Sequence, residues 1–225
     1  MSLLVKICGL STPDALDAAL DAGADMVGFV FFSPSPRNVM LAAARDLGGR
    51  VKSRALKVAL TVDADDALFA AIVNEFAPDI LQLHGHESPE RAAAVKRRFG
   101  LLIMKAIPIE TRADLAAIAR YRGVADRLLF DARAPREATR PGGLGKPFDW
   151  TLLKDVEAGP DYLLSGGLDA GNIAEALAVT GAPGVDVSSG VERRPGEKDP
   201  EKITAFVQAA RQAWKSRAGP LPNSA

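Results

Sequence analysis

Four scarcities bound this 225-residue chain. It has one cysteine, Cys8, so no disulfide can close within it and nothing in it calls for an oxidising compartment. It has no long apolar run. The longest, Met26 to Phe32, falls far short of the roughly 18 residues of a membrane span. It has no excess of either charge: Lys+Arg and Asp+Glu both number 28, which argues against broad binding to nucleic acid or to anionic membranes. It lacks a basic segment ahead of an apolar one at its start. The opening MSLLVKICGL is interrupted by Lys6 and does not read as a signal peptide, so a cytoplasmic location is expected.

What is present is an alternation. Short apolar runs predict strands at Leu3–Cys8, Met26–Phe31, Leu56–Val62, Ile80–Leu83, Leu102–Ala106, Arg127–Asp131, Tyr162–Ser165 and Gly184–Val187. Most are nearly continuous in apolar residues, as suits strands buried on both faces of a parallel sheet. Between them lie stretches with helical period. Leu16 and Leu20 share a face, as do Leu68, Ile72 and Phe76, and Ile203, Phe206, Val207 and Ala210. Thr12-Pro13 and Ser88-Pro89 carry helix start signals, a capping hydroxyl followed by proline at the first helical position.

Eight strands alternating with about eight helices leave a closed barrel or a doubly wound sheet. The length favours the barrel, and no G-x-G-x-x-G follows the first strand. The expected fold is therefore a soluble single-domain α/β (β/α)8 barrel over residues 1–215, with residues 216–225 a loose tail.

A barrel of this kind works at the C-terminal ends of its strands. Cys8, Ser33–Arg37, His84, Asp131, Gly166–Gly167 and Ser188–Gly190 all fall there. Glycines after the seventh and eighth strands let backbone N–H groups approach a phosphate. A cysteine at a strand end is ordinarily a small buried apolar residue. With Lys6 near, its thiol could instead serve as a general base. Asp131 closes the apolar run Leu128-Leu-Phe, with no helix signal directly after it. A partly dehydrated carboxyl group there suits a general acid better than a helix cap. The basic, glycine-containing stretch from Ala132 to Lys146 reads as a mobile lid over an anionic substrate, and His86 reads as a surface residue.

Taken in order, KICG at 6–9, GFVFFSPSPRNV at 28–39, QLHG at 82–85, the strand ending in Asp131, GGLGKPFDW at 142–150, LSGGL at 164–168 with Asn172, and GVDVSSGVE at 184–192 resemble the phosphoribosylanthranilate isomerase family. The resemblance spans nearly the whole chain. It implies an aldose–ketose isomerase of tryptophan biosynthesis that carries out an Amadori rearrangement with no metal or other cofactor. It implies Asp131 as the general acid that opens the furanose ring and Cys8 as the general base at C2′. Arg37 is implied to pair with the anthranilate carboxylate, with His84 close by. Gly166, Gly167, Asn172, Ser188, Ser189 and Gly190 are implied to hold the phosphorylated substrate. No nucleic-acid or membrane partner follows, and a monomer or homodimer is expected. The related isomerase of histidine biosynthesis places an Asp where Cys8 stands. A catalytically silent phosphate-binding barrel would not need both Cys8 and Asp131.

Overall fold

The structure, a computed structural model, describes residues 2–135, 138, 142, 145, 147–154, 156 and 162–217. The eight strands close into a parallel barrel in sequence order, β1 Leu4–Cys8, β2 Met26–Phe31, β3 Leu56–Thr61, β4 Ile80–Leu83, β5 Leu102–Ile109, β6 Arg127–Ala132, β7 Tyr162–Leu164 and β8 Gly184–Val187. Closure is made by β1 lying beside β8, with Lys6 in register with Asp186. Most strand ends match expectation within a residue, but β5 runs on to Ile109, because Ile107, Pro108 and Ile109 remain in register with Phe130, Asp131 and Ala132.

Side chains alternate across each strand, so every second residue points into the barrel. Met26, Val58, Ile80, Met104, Leu129 and Leu163 form one apolar layer inside it. Two residues further along three of those strands come Gln82, Asp131 and Ser165, and β1 contributes Lys6 and Cys8 by the same period. The alternating residues Leu81, Leu83 and Phe130 face outward, into the much larger cluster shared with the helices. The uniform apolarity of these strands in sequence thus hides two unlike faces, one dry and one that turns polar towards the C-terminal end.

Seven α-helices are found among the described residues: α1 Pro13–Asp21, α2 Leu41–Val51, α3 Asp66–Phe76, α4 Pro89–Phe99, α5 Ala116–Tyr121, α6 Ile173–Thr180 and α7 Pro200–Arg217. The expected count of eight is not met there, since only the 3-10 turn Trp150–Leu153 is described between β6 and β7. Both predicted start signals are used. Thr12 accepts a hydrogen bond from the Ala15 N–H and Ser88 one from the Arg91 N–H. In α3 it is Phe69, not Leu68, that takes the innermost position beside Ile72 and Phe76, with the Phe76 ring edge-on to Phe29 at 4.9 Å. Helix α7 runs through Ser216 and Arg217, two residues into the expected tail, while residues 218–225 lie outside those described.

Candidate active site

A cavity of about 600 Å³ opens at the C-terminal ends of the strands, and Cys8, Arg37, His84, Asp131, Ser188 and Ser189 line it. Gly166 and Gly167 line it as well, both with positive φ. Two of the expected site residues do not reach it. Asn172 spans the loop after β7, donating to the Gly167 carbonyl at 2.8 Å and accepting from the Asp169 N–H at 2.9 Å. It shapes the wall from behind. Gly190 packs against the same loop, where a Cβ would stand 1.9 Å from the Leu168 carbonyl oxygen. Its lack of a side chain lets the two glycine-rich loops lie together. His86 is exposed, as expected.

Cys8 is buried against Val30 and Leu60. Burial pushes its thiol up, and Asp186 adds to this. The ammonium groups of Lys6 and Lys198 pull it down, and the balance remains above the ordinary value. Lys6 does favour the thiolate, as its place in the sequence suggests, but desolvation of the buried thiol outweighs it. Lys6 is wholly buried and donates to Asp186 at 2.8 Å, and Asp186 accepts from Ser165 Oγ at 3.2 Å. Burial alone would lower the Lys6 pKa, but Asp186 and Cys8 together hold it above its usual value, so its charge persists. Neither Lys6 nor Asp186 was singled out as a site residue, although a charge inside each of the runs LLVKIC and GVDV was the visible signal. Alkylation of Cys8 should consequently be slow at neutral pH and gain rate above pH 8.5, the ordinary thiol value. A rate already at its plateau at pH 7 would contradict this balance of charges.

A second buried cluster braces the opposite wall of the cysteine. Glu192 holds Arg37 by two hydrogen bonds, from Nε at 2.7 Å and Nη2 at 2.8 Å. It also accepts from Lys198 Nζ at 2.8 Å. Lys198, pushed down to about 8 chiefly by burial, donates in turn to the Ser188 carbonyl at 2.8 Å. Ser188 Oγ closes the ring by donating to the Cys8 carbonyl at 3.2 Å. The loop after β2, the loop after β8 and the end of β1 are thereby tied at fixed spacing. Glu192 and Lys198 come from the strands Glu192–Arg194 and Glu197–Lys198, a hairpin that sequence periodicity did not reveal.

Across the cavity, Asp131 Oδ1 accepts from the Ala132 N–H at 2.9 Å, and Oδ2 lies 3.2 Å from His84 Nε2. Gly142 is set over this pair, for a Cβ there would meet Oδ2 at 2.5 Å and Nε2 at 2.9 Å. The expected lid, residues 132–146, lies partly outside the described residues. Of its described members, Ala132, Arg133, Pro135, Ala138, Gly142 and Gly145 line the cavity. On the side of β7 and β8, the N–H groups of Gly167 and Leu168 have no backbone acceptor among the described residues, leaving donors for an anion. The cavity therefore offers a buried thiol, a carboxyl group backed by an imidazole, an arginine whose fork is held by Glu192, and an anion-binding edge.

Comparison with known proteins bears on this arrangement. Residues 5–209 match the family model described as N-(5'phosphoribosyl)anthranilate (PRA) isomerase. An N-(5'-phosphoribosyl)anthranilate isomerase of Bradyrhizobium diazoefficiens is 64% identical over 211 residues, covering 94% of this chain and 95% of that one. The crystal structure of phosphoribosyl anthranilate isomerase from Thermotoga maritima superposes with a TM-score of 0.84 at 31% identity, over 93% of this chain and 99% of that chain. A phosphoribosyl anthranilate isomerase solved in complex with reduced 1-(o-carboxyphenylamino)-1-deoxyribulose 5-phosphate is similar with a TM-score of 0.80 at 29% identity, over 93% of this chain and 99% of that one.

Proposed function

Because this chain belongs to the phosphoribosylanthranilate isomerase family, we infer that it is an aldose–ketose isomerase that converts N-(5-phosphoribosyl)anthranilate to 1-(2-carboxyphenylamino)-1-deoxyribulose 5-phosphate in L-tryptophan biosynthesis. The observation that carries the assignment of roles is the placement of Cys8 and Asp131 on inward-facing strand positions that line one cavity, with the glycine-rich loops after β7 and β8 beside them. Asp131 gives its proton to the furanose oxygen. The C1′–O bond breaks with its electron pair going to that oxygen, and the anthranilate nitrogen forms a C1′=N iminium. The Cys8 thiolate then takes the C2′ proton, and the electrons of that C–H bond form the enolamine. Protonation at C1′ and loss of the O2′ proton give the ketone. The proton that Asp131 gives and the one that Cys8 takes are offset by the protonation at C1′ and the loss from O2′, so product and substrate are isomers and one acid and one base suffice. The positive iminium, forming beside a thiol held above its usual value, supplies the charge that favours the thiolate.

This reading extends to a cytoplasmic enzyme, monomeric or homodimeric. Among the described residues no helix is long and apolar enough to cross a membrane. An Asp at the end of the first strand, as in the related histidine-pathway isomerase, is replaced here by Cys8, which favours the anthranilate substrate. The direct test is to generate fluorescent phosphoribosylanthranilate in situ and add the purified protein. The fluorescence should decay at a rate proportional to enzyme, and no decay would refute the activity.

Arg37 is assigned to the anthranilate carboxylate, with Glu192 holding the guanidinium at a fixed angle. Arg37→Ala should raise KM by about ten- to a hundredfold, roughly 1.5–3 kcal/mol of lost charge-assisted bonding. It should also lower Tm, since the buried Glu192 loses one of its two cationic partners. Steady-state kinetics with a melting curve separate the two effects, and an unchanged KM would remove Arg37 from substrate recognition.

The phosphate is assigned to the loops at Gly166–Gly167 and Ser188–Ser189. Inorganic phosphate should raise Tm by mass action and compete with substrate, both with one apparent affinity. Competition with no change in Tm would oppose a folded-state anion site. Gly190→Val is expected to fail this test by disordering the β7 loop, given how near Leu168 lies, and not by blocking the anion alone.

A further inference from the structure

Gln82 is the one wholly buried amide side chain inside the barrel among the described residues, and nothing in the proposed chemistry uses it. It stands on β4 two residues before His84, which directly follows the strand and continues its pairing through its N–H to the Thr61 carbonyl, so both project to the same inner face. Its Nε2 is 3.0 Å from His84 Nδ1, and the other ring nitrogen, Nε2, is 3.2 Å from Asp131 Oδ2. Its Oε1 is buried with no hydrogen-bond partner among the described residues. A leucine or methionine would fill the same space without that unpaired oxygen, so packing does not account for the amide.

The two contacts are linked through the ring. A neutral imidazole donates from one nitrogen and accepts at the other. As the amide is placed, its NH2 faces Nδ1, which points to Nδ1 as the acceptor and Nε2 as the nitrogen that carries the proton towards the Asp131 carboxyl oxygen. Resting on the assignment of Asp131 as the general acid, we propose that Gln82 is a positioning residue that fixes His84 in its Nε2–H tautomer, so that His84 donates to Asp131 as charge develops on it. When Asp131 releases its proton to the furanose oxygen, negative charge appears on its carboxylate. A donor is already aimed at Oδ2, and Oδ1 holds the Ala132 N–H. His84 keeps its own proton throughout. It strengthens the acid without taking part in proton transfer, and Gln82 keeps it from turning its bare nitrogen towards Asp131.

The chain contains two histidines, and His86 is exposed on the surface. In a His86→Asn background, nitrogen-15 NMR of the ligand-free protein should show a single neutral ring carrying its proton on Nε2. Gln82→Glu puts an acceptor at Nδ1, and the proton should move there or the ring become doubly protonated. The kcat should fall about ten- to a hundredfold with KM nearly held, the range for partners that orient a reacting group. Gln82→Met, which keeps the volume, should give a mixture of tautomers and an intermediate kcat, and it keeps the test open if a buried glutamate prevents folding. A wild-type ring protonated on Nδ1, or Gln82→Glu and Gln82→Met variants that leave tautomer and kcat unchanged, would overturn the proposal. The spectra need no substrate, whereas the acid assignment is tested by turnover of Asp131→Asn. Normal turnover there with an Nε2–H ring would refute the acid and leave the tautomer standing, so the two failures can be told apart.

Discussion

Asp131→Asn should lower kcat by at least about a hundredfold while KM stays near the wild-type value. The substitution keeps the shape and leaves an amide oxygen able to accept the Ala132 N–H, with the other amide atom beside His84 Nε2, the two contacts that now orient the group. What it removes is the ionisable proton. Ring opening then has to proceed without a positioned donor, and the loss falls on the chemical step and not on binding. Turnover of in situ phosphoribosylanthranilate under saturating and limiting substrate gives both constants. Near-normal kcat would refute Asp131 as the acid, and a large rise in KM with kcat preserved would make it a binding residue instead.

Cys8→Ser should be comparably damaging, with kcat down by about a hundredfold or more. A serine hydroxyl is a far weaker acid than a thiol, so almost no alkoxide is available as a base near neutral pH. The neighbouring Lys6 and Lys198, which already fail to bring the thiol below its ordinary value, cannot close that gap. The fold should tolerate the change. The hydroxyl is smaller than the thiol, and Lys6 lies beside it. Melting temperature therefore separates loss of base from loss of structure. For the wild type, a thiol alkylator should abolish activity, and substrate or product should slow it. Full activity in the alkylated protein would return Cys8 to the role of a small packing residue. Since the thiol is held above its ordinary value, its thiolate fraction grows as pH rises, and kcat/KM should rise from acid towards alkaline pH. A profile with no rising limb would oppose a thiolate base.

Local patterning in the chain was enough for the architecture. Apolar runs such as Met26–Phe31 and Ile80–Leu83 became strands with those same ends, and Thr12-Pro13 and Ser88-Pro89 started helices as capping chemistry requires. These features depend on residues within a turn or two of one another, and short-range sterics and hydrogen bonding decide them. The strand-end rule for barrels then pointed to Cys8, His84 and Asp131, all of which do line the cavity.

The partnerships between those residues could not be obtained in that way. Lys6 reaches Asp186 across 180 positions of sequence, and Arg37 reaches Glu192 across 155. Such pairs exist only because closing the barrel sets β1 against β8 and places the β8 hairpin over the loop after β2. Asn172 and Gly190 look from sequence like substrate ligands, and only the packing of one loop on another shows that they build the wall. The direction of the balance at Cys8 was hidden for the same reason. A neighbouring lysine is visible in sequence, but burial of the thiol and the commitment of that lysine to Asp186 are properties of the folded interior, where desolvation outweighs a nearby charge.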